Sequence, residues 1–195
     1  MDKRWVLAGF YGPIVLAVVV LGLGFMNPGY SHIRDVISEL GQLGAPTEHL
    51  MNLFGFGLFG VFVFVFAAGI HAIRGTSFVG KLASAFFAAG GISCSLISIN
   101  TNPMHLLAST CALFLLFPAF LLLALDTRKE RSMRYYFLTS AVLGIATFYF
   151  GVGWLGTDSE EESLTSGIKQ RASMSAWLIH MMYTSRKLYN LKRVG

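Results

Sequence analysis

Between Pro28 and Asn52 the chain reads PGYSHIRDVISELGQLGAPTEHLMN, and His32, Arg34, Asp35, Glu39, Glu48 and His49 all fall within it. Two kinds of chemistry are open to such residues. An imidazole of near-neutral pKa, oriented by a carboxylate, acts as a general base on a water or a hydroxyl. Guanidinium and ammonium groups hold phosphate, arginine through two parallel hydrogen bonds. Ser38 adds a hydroxyl, and His105, Lys169, Gln170 and Arg171 add the same residue types further along. The catalytic set is then His105, Asp35, Ser38 and Glu39. The ligand-binding set is Tyr30, His32, Arg34, His49, Asn52, Lys169, Gln170 and Arg171.

Composition determines what must position these groups. Apolar residues make up 54% of the 195 positions and charged residues only 13%, against roughly 25% charged in a soluble domain. The chain reads as an integral membrane protein. With about 20 residues per span, it holds about six helices in a single domain over 1–195. The spans fall at about 5–26, 48–73, 82–100, 103–125, 135–156 and 165–189. Trp5 to Met26 is too long and continuous for a signal-peptide core, so it reads as a retained first span. Asn102 and Pro103 make a helix start for the fourth. The sixth is interrupted by Lys169, Gln170 and Arg171.

Basic residues set the orientation. Lys3, Arg4, Arg74, Lys81, Arg128, Lys129, Arg131, Arg134, Arg186, Lys187, Lys192 and Arg193 fall on one side, and only Arg34, Lys169 and Arg171 on the other. By the positive-inside rule this gives a multi-pass protein of the cell membrane with both termini cytoplasmic. The net charge of +5 is thus a topology signal and implies no nucleic-acid partner. Arg128 to Arg134 could meet anionic head groups, but topology explains that segment.

The connection 28–47 is far longer than the two to eight residues that join antiparallel helices. Within it Ile33, Val36, Ile37 and Leu40 recur at i, i+3, i+4 and i+7, which predicts a short extracytoplasmic lid helix. Ser31 would cap it and Gly41 close it, with His32, Asp35, Ser38 and Glu39 on its other side. Lys169 or Arg171 would point inward, towards Asp35 or Glu39. Small residues from Ala83 to Ser95 predict close packing of the third span. Gly55, Gly57 and Gly60 spell G-x-G-x-x-G without a preceding strand, so they are assigned to packing as well. Cys94 and Cys111 lie in apolar runs as small hydrophobes.

The pattern Tyr30-Ser31-x-x-Arg34-Asp35-x-Ile37-Ser38-Glu39-Leu40-Gly41, followed by Gly44-Ala45-Pro46, resembles a prokaryotic membrane family catalogued as domain of unknown function 998. His105-Leu106-Leu107-Ala108 and Gly167-Ile168-Lys169-Gln170-Arg171 fit it too. The resemblance covers nearly the whole chain and implies a six-helix fold with no established activity. That family is itself distantly similar to DRAM/Sfk-type membrane proteins, some of them tied to lipid handling. Ile97 to Asn102 depart from the family, where a hairpin richer in Phe, Pro and Asp is expected.

Several functions compete. One is a lipid hydrolase or transferase using His105 with Asp35 or Glu39. A second is a metal site from His49, His105 and Asp35 or Glu39, which lacks a ligand-spacing signature. A third is haem held by His49 and His105, or by His71 and His180. The fourth is a non-catalytic binder or structural subunit. The leading expectation is an outward polar pocket that recognises or modifies a lipid or small amphiphile. Membrane lipids are its partners, a lipid or small molecule its ligand, and no metal or cofactor is expected.

Overall fold

A chain crossing lipid must satisfy its backbone N–H and C=O groups internally, and this one does so with helices. A computed structural model describes residues 2–97, 102–126, 131, 134–142 and 166–190, with the backbone alone at 102–110, 112 and 113. Helix α1 is Ala8–Met26, entered through a 3-10 turn at Lys3–Leu7. Helix α2 is Glu48–Arg74 and α3 is Phe78–Leu96. Then follow α4 (Asn102–Asp126), α5 (134–142) and α6 (Ser166–Asn190). Together they make an all-α polytopic membrane protein.

The first three spans are each long and apolar enough to cross a membrane. The third starts four residues before its expected position because Ser77 caps it, its Oγ accepting the Gly80 N–H at 2.8 Å. The later parts of the third and fifth spans, 98–100 and 143–156, lie outside the described residues. Helix α6 has 25 residues, about 37 Å at 1.5 Å each, which exceeds the hydrocarbon thickness. Its four cations sit in pairs near its two ends, Lys169 with Arg171 and Arg186 with Lys187, leaving Ala172 to Ser185 without formal charge. Long cationic side chains at those depths reach back to the interface.

Aromatic rings tie the helices together. Phe66 of α2 meets Phe87 of α3, and Phe87 meets Phe120 of α4, each edge to face at 5.2 Å. Phe120 continues to Trp177 of α6 at 5.8 Å. Such pairs contribute about 0.5–1.5 kcal/mol each beyond area burial, which matters where lipid is as apolar as the core. The α2–α3 crossing depends on glycine. A Cβ at Gly60 would stand 2.5 Å from the Gly91 carbonyl, and one at Gly91 would stand 2.8 Å from the Gly60 carbonyl. Gly60 of the G-x-G-x-x-G string thus does serve helix packing.

Residues Met51–Gly57 of α2 are wound as a π-helix, which the sequence did not predict. The extra residue per turn shifts which side chains face α1, and such segments often accompany functional sites. At the far end of α2, Arg74 lies 3.7 Å from Asp126 at the C-terminus of α4, both largely buried. Ser77 also donates to Asp126.

Candidate functional site

The connection after α1 does not fold as the predicted α-helix. Ser31 to Asp35 form a single closed turn: the Asp35 N–H donates to the Ser31 carbonyl at 2.8 Å, and the Asp35 carboxylate accepts the Ser31 N–H at 2.6 Å. Ser31 caps this turn rather than a helix, its Oγ accepting from the Ile33 and Arg34 N–H groups at 3.4 Å. Val36 is extended, with φ −76° and ψ 154°, and a 3-10 turn follows at Ile37–Gly41. Gly41 is the last residue of this turn and Gln42 its cap, so Gly41 does not serve as the expected glycine cap. Of the four-residue apolar stripe, Ile37 and Leu40 are buried, but Ile33 is exposed.

The cause is competition for the backbone. An α-helix through this segment would need the Ile33 and Arg34 carbonyls for the N–H groups of Ile37 and Ser38. Helix α6 takes them instead. Its first N–H groups lack intrahelical partners: Gly167 donates to the Arg34 carbonyl at 3.0 Å and Ile168 to the Ile33 carbonyl at 2.8 Å. The Ile37 N–H, left over, donates to Gln170 Oε1 at 2.7 Å. The lid is thus the N-terminal cap of α6. Gly167 permits the approach, since a Cβ there would stand 2.4 Å from the Asp35 carbonyl and 2.9 Å from its nitrogen.

Arg171 completes this clamp. Its Nη1 donates to the Asp35 carbonyl at 2.8 Å, and its Nη2 donates to the Tyr30 hydroxyl, over whose ring the guanidinium lies at 5.6 Å. The Tyr30 hydroxyl donates to the Val36 carbonyl at 3.2 Å. Arg171 therefore meets a carbonyl and a phenol, not the carboxylate expected from the sequence. The carboxylate of Asp35 pairs with its neighbour Arg34 at 3.0 Å. From the α2 side, the buried Thr47 Oγ1 donates to the Leu40 carbonyl at 2.8 Å, and Asn52 Nδ2 donates to the Gly41 carbonyl at 3.0 Å.

Electrostatics follow this geometry. Burial alone would raise Asp35, but the Ser31 N–H, Arg34 and Arg171 together hold it below its ordinary value. Burial raises Glu39, assisted by Asp35 and opposed by the Val36 N–H it accepts at 3.2 Å. Burial also raises the Tyr30 phenol. His32 is lowered by burial first and then by Arg171, against the Leu21 carbonyl. Its ring fills the space where a Cβ on Gly24 would stand 2.2 Å away, and Phe25 and Tyr30 meet it edge-on.

Beneath the lid there is no polar chamber among the described residues. Leu16, Val20 and Leu23 of α1, Ile37 and Leu40 of the lid, Met51 and Phe56 of α2, and Cys94 and Ile97 pack there as one apolar cluster. The open space lies on the loop itself: a depression of about 280 Å³ lined by Asn27, Tyr30, Asp35, Glu39, Gln42 and Pro46, among others. A second, apolar groove of about 190 Å³ runs between the C-terminal half of α1 and the start of α2, lined by Val18, Val19, Gly22, Leu23, Met26, Leu50 and Phe54. Both border the end of α1, where Met26 lines the groove and Asn27 the depression, and they share no lining residue. Phe54 comes from the π-helical segment.

The structure thus brings together Tyr30, His32, Arg34, Asp35, Glu39, Gln170, Arg171 and Asn52. Ser38 is half-buried on the 3-10 turn, and Lys169 is half-buried on α6. His49 is exposed on the first turn of α2, away from the clamp's hydrogen bonds. His105 belongs to the first turn of α4, and its side chain lies outside the described residues. His71 and His180 each have protein partners: His71 Nδ1 lies 3.4 Å from Ser84 Oγ, and His180 Nδ1 lies near the Tyr136 and Ser140 hydroxyls. Sequence reasoning overlooked Asp126, a lone carboxylate ending an apolar run, and Thr47, whose only signal was its place before the α2 start.

Among the described residues no cluster of three His, Cys, Asp or Glu side chains is spaced to hold a metal ion. No curated protein and no solved structure is significantly similar to the chain. A family model described as "Protein of unknown function (DUF998)" matches residues 10–185. The chain belongs to that family.

Proposed function

We infer that this protein recognises a lipid or small amphiphile from the outer side of a cell membrane, with both termini cytoplasmic. The observation that carries this reading is that the polar depression and the apolar α1–α2 groove flank the end of α1 at Asn27 and Met26, an arrangement that would make a junction of the two. An amphiphile needs such a junction: a chain along Val18, Gly22 and Phe54, and a polar end among Tyr30, Asp35, Glu39 and Gln42. The π-helical turn that places Phe54 at the groove supports it further. The lid then acts as a fixed wall rather than a moving gate, because its backbone is bonded to α6. Recognition is favoured over hydrolysis, since Asp35 and Glu39 direct carboxylate oxygens at backbone N–H groups of their own loop.

Gly22→Leu tests the reading. No atom lies within 4 Å of a Cβ built there, so the larger side chain enters the groove without disturbing the fold. Single-chain and double-chain phospholipids are titrated into detergent-solubilised protein, and the rise in melting temperature is recorded. The expected result is a ligand-dependent rise in the native protein that Gly22→Leu abolishes. An equal rise in both proteins, or none in either, would overturn the assignment.

A further inference from the structure

The end of the bundle opposite the lid sets cations on tyrosine rings. Arg131 and Arg134 are three residues apart on one helical face, and their guanidinium carbons lie 5.8 and 6.0 Å from the Tyr135 ring centre. On α6, Lys187 Nζ lies 5.3 Å from the centre of the Tyr183 ring one turn earlier. The Tyr136 and Tyr183 rings are 4.6 Å apart across the seam between α5 and α6, and Tyr135, which carries the two arginines, is the residue next to Tyr136, so the two groups sit at the same end of that seam. Tyr136 is held in place, since its hydroxyl donates to the His180 carbonyl at 3.1 Å and stands 3.1 Å from His180 Nδ1. Ser140 Oγ meets the same nitrogen at 3.0 Å. The seam therefore has a fixed polar floor.

The rim is open. Tyr135 is 53% and Tyr183 45% exposed, and Arg131, Arg134 and Lys187 are exposed as well. The ion pairs among the described residues are Arg4–Asp2, Arg34–Asp35 and Arg74–Asp126, so none of them neutralises these three cations. A ring face beneath a guanidinium restrains it while its N–H edge stays available for a bidentate oxyanion. One turn or two deeper into the membrane, exposed Val142 follows Tyr135 on α5 and exposed Ile179 precedes Tyr183 on α6. An apolar chain has a surface there directly below the cations.

We propose that the α5–α6 seam binds an anionic phospholipid, its phosphate held by Arg131, Arg134 and Lys187 and its chains lying along Val142 and Ile179. The site is separate from the outer depression and does not depend on the reading given to it. Charge complementarity selects the ligand: zwitterionic lipid brings an ammonium into a rim that already carries three positive charges.

The test uses the full chain in phosphatidylcholine nanodiscs doped with phosphatidylglycerol, and native mass spectrometry to measure the apparent affinity for that lipid. Arg134→Gln/Lys187→Gln is compared with Arg4→Gln/Lys81→Gln, which removes the same charge from exposed positions elsewhere on that end. Each cation near the membrane surface contributes about 1 kcal/mol, about fivefold in affinity. The seam variant should bind phosphatidylglycerol about 25-fold more weakly, and the control should bind like the native protein. Equal weakening of both variants would show a diffuse basic collar, and no weakening of either would show no site. Both results overturn the proposal.

Discussion

Gly167→Ala is the sharpest perturbation of the lid. The added methyl would lie 2.4 Å from the Asp35 carbonyl oxygen, 2.9 Å from the Asp35 nitrogen and 2.8 Å from Arg171 Nη1. Two of these three atoms are backbone and cannot swing aside, so the lid must shift away from α6. Overpacking of this kind costs about 1–3 kcal/mol where the structure retains its bonds. Of the five hydrogen bonds between α6 and the lid loop, four lie at this contact: Gly167 to Arg34, Ile168 to Ile33, Ile37 to Gln170, and Arg171 to Asp35. At about 1 kcal/mol for each neutral bond and about 2 for the charged one, their complete loss costs about 5 kcal/mol. A partial shift gives about 2–4 kcal/mol. The aromatic core of Phe66, Phe87 and Phe120 involves none of these contacts, so the loss should be local. Amide hydrogen exchange in detergent reads it directly. Protection of residues 33–42 should fall by about 30- to 1,000-fold, while residues of α2 and α3 keep theirs. Gly22→Ala serves as a control, because it enters open space and exchanges glycine for a better helix former. Unchanged protection of the lid in Gly167→Ala would refute the cap argument.

Thr47→Val removes the donor to the buried Leu40 carbonyl while keeping the shape; a melting-temperature loss corresponding to about 1–3 kcal/mol is expected. Asp126→Asn removes the carboxylate that faces the largely buried Arg74 cation, so chemical unfolding should show a loss of about 3 kcal/mol. Arg74→Gln/Asp126→Asn should recover most of it, and a double variant no better than the single would count against the pair. His32 ties stability to pH. Its folded pKa lies below the ordinary 6.5, so the folded state binds fewer protons than the unfolded one. Its contribution is complete above pH 6.5 and is lost as pH falls through the window beneath. Stability curves of native protein and His32→Gln should therefore converge between pH 7.5 and 5. Parallel curves would exclude the linkage. Glu39, whose raised pKa has the opposite sign, is present in both and cancels in the comparison.

The helices were legible because composition and periodicity act locally. Apolar length marks a span whatever its neighbours are, and the earlier start of the third helix at Phe78 reflects its Ser77 cap. The lid was legible only as an element. Its i, i+3, i+4, i+7 spacing is sound for a helix, but spacing cannot report that the N-terminus of α6, 130 residues later in the chain, takes its carbonyls. Arg171 does turn inward to Asp35, as expected, but it meets that residue's carbonyl and not its carboxylate, for the same reason. Charge matching points to Asp35 or Glu39, whereas the folded loop turns a carbonyl towards the guanidinium and pairs Asp35 with Arg34 next to it. The π-helical turn at Met51–Gly57 left no signal that periodicity could detect. The groove it helps to form left no signal either, nor did its place next to the depression at the end of α1.

Arg34 and Arg171 were expected to present phosphate-binding groups to a ligand. Their hydrogen bonds instead go to Asp35, Gly29 and Tyr30 within the clamp. On the proposed reading, head-group selection would fall to Tyr30, Asp35, Glu39 and Gln42 of the depression, a rim richer in acceptors than in cations. Such a rim suits a polyol or amine head group better than a bare phosphate, which is the chemistry to vary first in the titrations.

An experimental density map of the full chain in lipid nanodiscs tests the central claim most directly. The account predicts an elongated feature in the groove between α1 and α2, passing Gly22 and Phe54 and ending over Tyr30 and Glu39, with the lid backbone still bonded to Gly167 and Ile168. A groove closed by its own side chains, or a lid lifted away from α6, would contradict it.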